Sequence, residues 1–222
     1  VWKQISKSDN VYDKNLFLNI IMKFINDKIE ILVPDCKTMD GFSRFIDFFD
    51  KAISLNNIFN NDENLTTLGN KFSSNLKSII SSNDKFIDVM CKLINKKMKD
   101  FNNFDNNLDN IKSVTNVIQL LNYIQNKDTF YAKYSHYLMT RLLGQTNIYY
   151  EKKLVETIES IQDYSYVKKL HKMIKDIDIS YLNMSNYYMI KINQTSNIVD
   201  KNFDTKKLNA LTFSYNAWDI CL

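Results

Sequence analysis

The sequence predicts an all-α protein, and three observations carry that prediction. Its 222 residues include three glycines and one proline, too few for the turns of an all-β or doubly wound α/β chain. Apolar side chains recur at intervals of three and four through most of the length, the period of a helix with one covered face. Polar, asparagine-laden stretches such as "NNIFNNDEN" and "NNFDNNLDN" separate those periodic segments. Hydrophobic residues make up 45% of the chain, enough for a sizeable core.

Residues 14–33 place Leu16, Ile20, Phe24, Ile25, Ile29 and Leu32 near one helical face, and Pro34 is expected to stop that helix. Phe42, Phe45, Ile46, Phe49 and Ile53 mark a second helix. Leu65, Leu68, Phe72, Leu76, Ile79 and Ile80 mark a third. Ser82 and Asn83 offer N-cap oxygens to a fourth, carrying Phe86, Ile87, Met90, Leu93 and Ile94. Ile111, Val114, Val117, Ile118, Leu121 and Ile124 form a fifth, ending near Asn126.

The next helix holds Phe130, Tyr134, Leu138 and Leu142 at intervals of four. Asp128 is placed to cap it, its carboxylate at the positive end of the dipole, and Gly144 to end it as a left-handed residue. Residues 149–162 and 164–176 read as two further helices, and Ser180 as the cap of a short last one through Tyr188 and Ile190. Near residue 206 the pattern changes: Leu208, Ala210 and Thr212 alternate with Asn209, Leu211 and Phe213, a strand signal.

Several function classes lose their footing in the composition. The net charge of +4 comes from 29 basic and 25 acidic residues spread along the chain, a solvated surface and not a nucleic-acid patch. The 27 tyrosines and phenylalanines (13 and 14) fall at helical spacing and read as core. His136 and His171 have no ligand-type neighbour at metal-binding spacing. No phosphate loop, nucleophile elbow or H-E-x-x-H is present, so no cofactor, metal, catalytic residue or small-molecule substrate is expected. Cys36, Cys91 and Cys221 are sparse and odd in number, which fits free buried thiols in a reducing compartment. No apolar run approaches the roughly twenty residues of a membrane span, and no membrane partner is expected. The chain opens on Val1 and reads as a fragment of something longer.

Two blocks of residues carry more than periodicity. "YIQNKDTFYAKYSHYLMTRLL" resembles the signature of the cullin family: Y-I-x-x-K-D-x-F, three residues, Y, three residues, L, two residues, R-L-L. Tyr123, Ile124, Lys127, Asp128, Phe130, Tyr134, Leu138, Arg141, Leu142 and Leu143 fall on it without a gap. At the expected distance, "KKLHKMIKDIDIS" is similar to that family's K-L-x-x-M-x-x-D-I-x-x-S through Lys169, Leu170, Met173, Asp176, Ile177 and Ser180. Glu151 and Leu154 sit where the intervening helix carries an acidic and an apolar residue. The resemblance covers about 82–218 and is strongest over 123–180. "ALTFSYNAWDI" resembles a strand reading V-L-T-x-x-Y-W-P, but Asn216 and Ala217 precede Trp218 and Asp219 replaces the proline. A glycine expected near Asp163 is also absent.

The resemblance implies a fold in three parts: 1–108 as the end of an elongated N-terminal helical repeat, 109–195 as a four-helix bundle, and 206–222 as the first strands of an α/β domain. It implies a non-catalytic scaffold of a RING-type ubiquitin ligase in the cytoplasm or nucleus. Its partners would be a RING-box protein, substrate receptors or adaptors, and the ubiquitin-like modifier pathway. The receptor-binding region and the modifier-acceptor lysine would lie outside this chain. In that family the RING protein adds a strand to the α/β sheet, which places Leu208, Leu211 and Phe213 near that interface. Arg141 can reach a carboxylate or helix carbonyls with its five donors, Asp176 on a nearby helix being one candidate. Lys127 and Asp128 argue against the related cullin-like subunit of the anaphase-promoting complex. A helical protein-binding or RNA-binding module is the alternative of another class.

Overall fold

The computed structural model describes residues 11–60, 66–81, 83, 85–101, 108–144, 147–161, 164–195, 210–214 and 217–218. Within these residues the secondary structure is helical and contains no strand. The helices are α1 (Val11–Asp35), α2 (Met39–Asn60), α3 (Thr66–Ser81), α4 (Phe86–Phe101), α5 (Leu108–Gln119), α6 (Lys127–Leu143), α7 (Ile148–Ile161) and α8 (Tyr164–Thr195). A 3-10 turn, Leu120–Asn122, follows α5. The chain divides into two units, Val1–Lys97 with Leu108–Phe130 and Met98–Asn107 with Tyr131–Leu222.

In the first unit α1 packs on α2 and α3, and α2 on α3 and α5. Its core is aromatic. Phe42, Phe45, Phe49 and Phe86 are at most 1% exposed. Phe86 lies 5.0 Å from Phe42 and 5.6 Å from Phe45 between ring centroids, and Phe49 meets Tyr123 edge-on at 5.5 Å. Tilted and edge-on contacts suit the ring quadrupole better than face-to-face stacking. Between helices, Asn116 donates to Asp50 at 2.8 Å, and Lys97 to the Ser113 hydroxyl at 2.9 Å.

Two expectations for α1 are corrected. Leu16, Ile20 and Phe24 are 52–60% exposed, while Met22, Ile25, Ile29 and Val33 are buried. The helix carries two apolar stripes, and spacing alone does not say which one a neighbour covers. Pro34 lies within α1 and does not stop it at 33. A proline in the last turn removes only the donor to the carbonyl four residues back. The end is tied down by Asn83, whose amide donates to the Val33 carbonyl at 2.6 Å.

Caps are also reassigned. Asn83 accepts from the Lys85 N–H at 3.1 Å ahead of α4; Ser82, the other proposed cap, lies outside the described residues. Thr38 caps α2 by accepting the Gly41 N–H at 3.1 Å. At α6 the capping oxygen is that of Asn126, which accepts the Thr129 N–H at 3.1 Å. Asp128 lies in the first turn, exposed. Gly144 donates to the Thr140 and Arg141 carbonyls, but its φ is not in the left-handed region.

In the second unit, α7 packs on α8. Leu154, Val155 and Ile158 are buried from α7, and Val167, Leu170, Met173, Ile174 and Ile177 from α8. The separate helix expected after 176 is instead the continuation of α8, one helix of 32 residues. Ser180 is therefore no cap. It lies mid-helix and donates to the Asp176 carbonyl at 2.7 Å, the back-bonding that a serine inside a helix adopts. Of the predicted strand segment, 210–214 and 217–218 are described and form no strand; Leu208 lies outside the described residues.

Candidate functional site

Two polar clusters are buried in the second unit, and both fall on the residues singled out from the sequence. The first joins α6 to α7. Arg141 Nε donates to Glu151 Oε1 at 2.6 Å and Nη2 donates to Oε2 at 2.9 Å, a two-point pairing of fork and carboxylate. The side chains are 0% and 1% exposed. The guanidinium carbon stands 5.5 Å from the Tyr134 ring centroid, within cation–π range. Burial by itself would lower the Arg141 pKa, but the Glu151 carboxylate, helped by Tyr134, raises it above its ordinary value. Arg141 is thus a buried cation throughout the accessible pH range.

Local sequence explains the placement. Asn147 accepts the Tyr149 N–H at 3.0 Å and starts α7, which puts Glu151 in the first turn. There the positive helix end favours a carboxylate. The expected partner Asp176 is corrected to Glu151. The sequence did carry a signal, an acidic residue in the first turn after a short connection from Arg141, but two carboxylates were available and spacing does not choose between them.

The second cluster is on α8. Asp176 Oδ2 accepts the Ser214 N–H at 2.7 Å and the Trp218 indole N–H at 2.8 Å, and Oδ1 accepts the Ser214 hydroxyl at 2.7 Å. One turn on, Ser180 Oγ accepts the Thr212 N–H at 2.8 Å. Thr212, Ser214 and Trp218 are therefore held on α8 by side chains one helical turn apart. Trp218 is 7% exposed and packs 4.4 Å from the Phe213 ring. Burial would push the Asp176 carboxyl up, but Ser214, Trp218 and Lys172 together hold it below the usual carboxylate range. Sequence reasoning did not find this clamp, because its donors lie 32 to 42 residues away in an irregular segment.

The sign of the pH effect follows. A depressed folded-state pKa means that the contribution of Asp176 is complete above the unfolded value of about 3.9. It is lost as pH falls through the lower folded value. In a Trp2→Phe background, Trp218 emission is expected to stay at its buried position from neutral pH to about pH 4 and to shift red below that. Asp176→Asn should show the red-shifted state already at neutral pH; an unchanged emission maximum would remove the clamp. Ser180→Ala loses a smaller share, about 1 kcal/mol, readable as a lowered urea midpoint.

The other singled-out residues are placed as follows. Phe130, Tyr134, Leu138 and Leu142 are at most 1% exposed, as are Leu170 and Met173. Lys127 is half-buried at the start of α6, and Leu211 is half-buried while Phe213 is 38% exposed. His171 meets Glu159 at 2.9 Å on a half-exposed surface. Cys36 and Cys91 are buried and form no disulfide among the described residues; burial beside Asp35 pushes the Cys36 thiol up to about 12, far from a reactive thiolate. Among the described residues no group of three or more His, Cys, Asp or Glu side chains could hold a metal. No described helix is long and apolar enough to cross a membrane. A cleft of about 510 Å3 in the first unit is lined by Glu30, Val33, Pro34, Lys37 and Ile79, among others.

Among the described residues the secondary structure is helical, and the buried charged groups are bonded internally, Arg141 to Glu151 and Asp176 to Ser214 and Trp218. The chain belongs to the cullin family: the family model described as the cullin alpha solenoid domain matches residues 11–184. It is 28% identical over 139 residues to Cullin-4 of Dictyostelium discoideum, a match covering 61% of this chain and 16% of that relative's length.

Proposed function

We propose that this chain is part of a rigid, non-catalytic scaffold in a cullin–RING ubiquitin ligase, holding a substrate receptor relative to a RING protein and its E2. One observation supports this reading most. Three polar residues on the family pattern, Arg141, Asp176 and Ser180, are buried and make their bonds internally. Groups so engaged hold a fold in one geometry, whereas a catalytic group must reach a substrate. A scaffold accelerates transfer by position: it raises the effective concentration of a substrate lysine near the E2 thioester.

On the same reading, the chain comprises the end of a helical repeat (1–108), a four-helix bundle (109–195) and the opening of an α/β domain (206–222). Leu208, Leu211 and Phe213 then stand near the RING-box protein. Substrate receptors, adaptors and the modifier pathway engage the longer protein, in the cytoplasm or nucleus. The test is co-purification of the longer protein with a RING-box protein, followed by ubiquitin-chain formation with E1 and E2. Stoichiometric capture and ligase activity are expected. A folded longer protein that captures no RING partner would overturn the proposal.

A further inference from the structure

We propose that the outer face of α8 is a docking surface for an amphipathic helix of a partner protein, acidic over one end and apolar over the other. Lys168, Lys172, Lys175, Ile179, Leu182, Asn186, Met189 and Ile190 follow at steps of three and four, save the last, so they share one face of a single helix. All eight are exposed. The buried residues Leu170, Met173, Ile174 and Ile177 occupy the opposite face.

Along the axis this outer face changes character. Its first half carries three lysines and no carboxylate; of the carboxylates at its edges, Asp178 is paired with Lys152, and Asp176 is engaged by Ser214 and Trp218 with Lys172 beside it. Its second half is apolar. Ile179 is 40% exposed, Leu182 61%, Met189 60% and Ile190 56%. From Tyr181 to Ile190 no residue is fully buried, and only Met184 and Tyr188, on the inner face, are half-buried. Lysine is the only charged residue type between 181 and 195, at position 191. Exposed side chains of this size in one contiguous row mark an interaction site.

Charge complementarity selects the occupant. A wholly apolar partner would leave the lysine half unmatched, and a basic one would be repelled by it. A helix laying leucine-type side chains along 179–190 and glutamate or aspartate along 168–175 satisfies both halves, in the helix-against-helix mode read out at three- and four-residue steps.

The test uses fluorescence anisotropy with a labelled synthetic helix of about three heptads, carrying leucines over one end of a face and glutamates over the other. A second peptide replaces the glutamates with lysines. The protein is expected to bind the acidic peptide, more weakly as salt rises, and to bind the lysine peptide at least about tenfold less well. Leu182→Glu with Met189→Glu should weaken the acidic peptide by at least about tenfold. Lys168→Glu with Lys175→Glu should reverse the preference between the two peptides. All four positions are exposed, so the variants keep their helical circular dichroism. Equal binding of both peptides, or no binding of the acidic one, overturns the proposal. So does binding to phosphatidylserine vesicles that the same variants abolish while the acidic peptide goes unbound, which would make the face a membrane contact.

Discussion

Glu151→Ala is expected to destabilise the protein by about 3–5 kcal/mol, the cost of leaving a buried guanidinium without its carboxylate. The Arg141 side chain is 0% exposed and its two bonds to Glu151 are 2.6 and 2.9 Å long. Arg141→Met should cost a similar amount by stranding Glu151. The double variant Arg141→Met with Glu151→Leu is expected to cost clearly less than the sum. An apolar pair carries no desolvation penalty, and replacing buried ion pairs in this way is often neutral. Urea unfolding followed by helical circular dichroism gives all three values. If the single variants each cost under about 1 kcal/mol, the range of an exposed pair, the pair is not buried as described.

Gly41→Ala should cost about 3 kcal/mol, the upper range for forced overpacking. A Cβ at this position would sit 2.7 Å from the Asp35 carbonyl carbon and closer still to its oxygen. Those atoms are backbone at the end of α1 and have no rotamer into which to retreat. Any larger residue should do worse. Gly144→Ala is the control, since its Cβ would meet the Thr140 and Arg141 carbonyl oxygens at 3.3 and 3.4 Å. That variant is expected to lie within about 0.5 kcal/mol of the parent. Equal thermal midpoints for the two alanine variants would show that the α1–α2 corner relaxes freely.

The comparison of these positions shows what sequence can and cannot disclose. The helices were legible because burial of one face imposes a period, and Phe42, Phe45, Leu138 and Leu142 lie where the period puts them. The covered face of α1 was not legible, because Leu16, Ile20 and Phe24 form as good a stripe as Met22, Ile25, Ile29 and Val33. Nor was the continuity of α8, since Ser180 has the chemistry of a cap and only its bonds to Asp176 and Thr212 show it inside a helix. Arg141 stood out as a donor for a carboxylate or helix carbonyls. Its choice of Glu151 over Asp176 depends on how the helices meet, which no local pattern records. The clamp by Asp176 joins a helix to an aperiodic segment, so no regular spacing could have revealed it.

That clamp is also a gauge. Asp176 and Ser180 are four residues apart on a helix, about 6 Å along its axis. Thr212 and Ser214, two residues apart, meet those two positions. The two pairs match in antiparallel order, Ser180 with Thr212 and Asp176 with Ser214. A slip of one residue in either direction would put Leu211 or Phe213 at Ser180, where Thr212 now stands. Extra residues inserted before position 210 leave the alignment intact, whereas a single residue inserted between Thr212 and Ser214 destroys it.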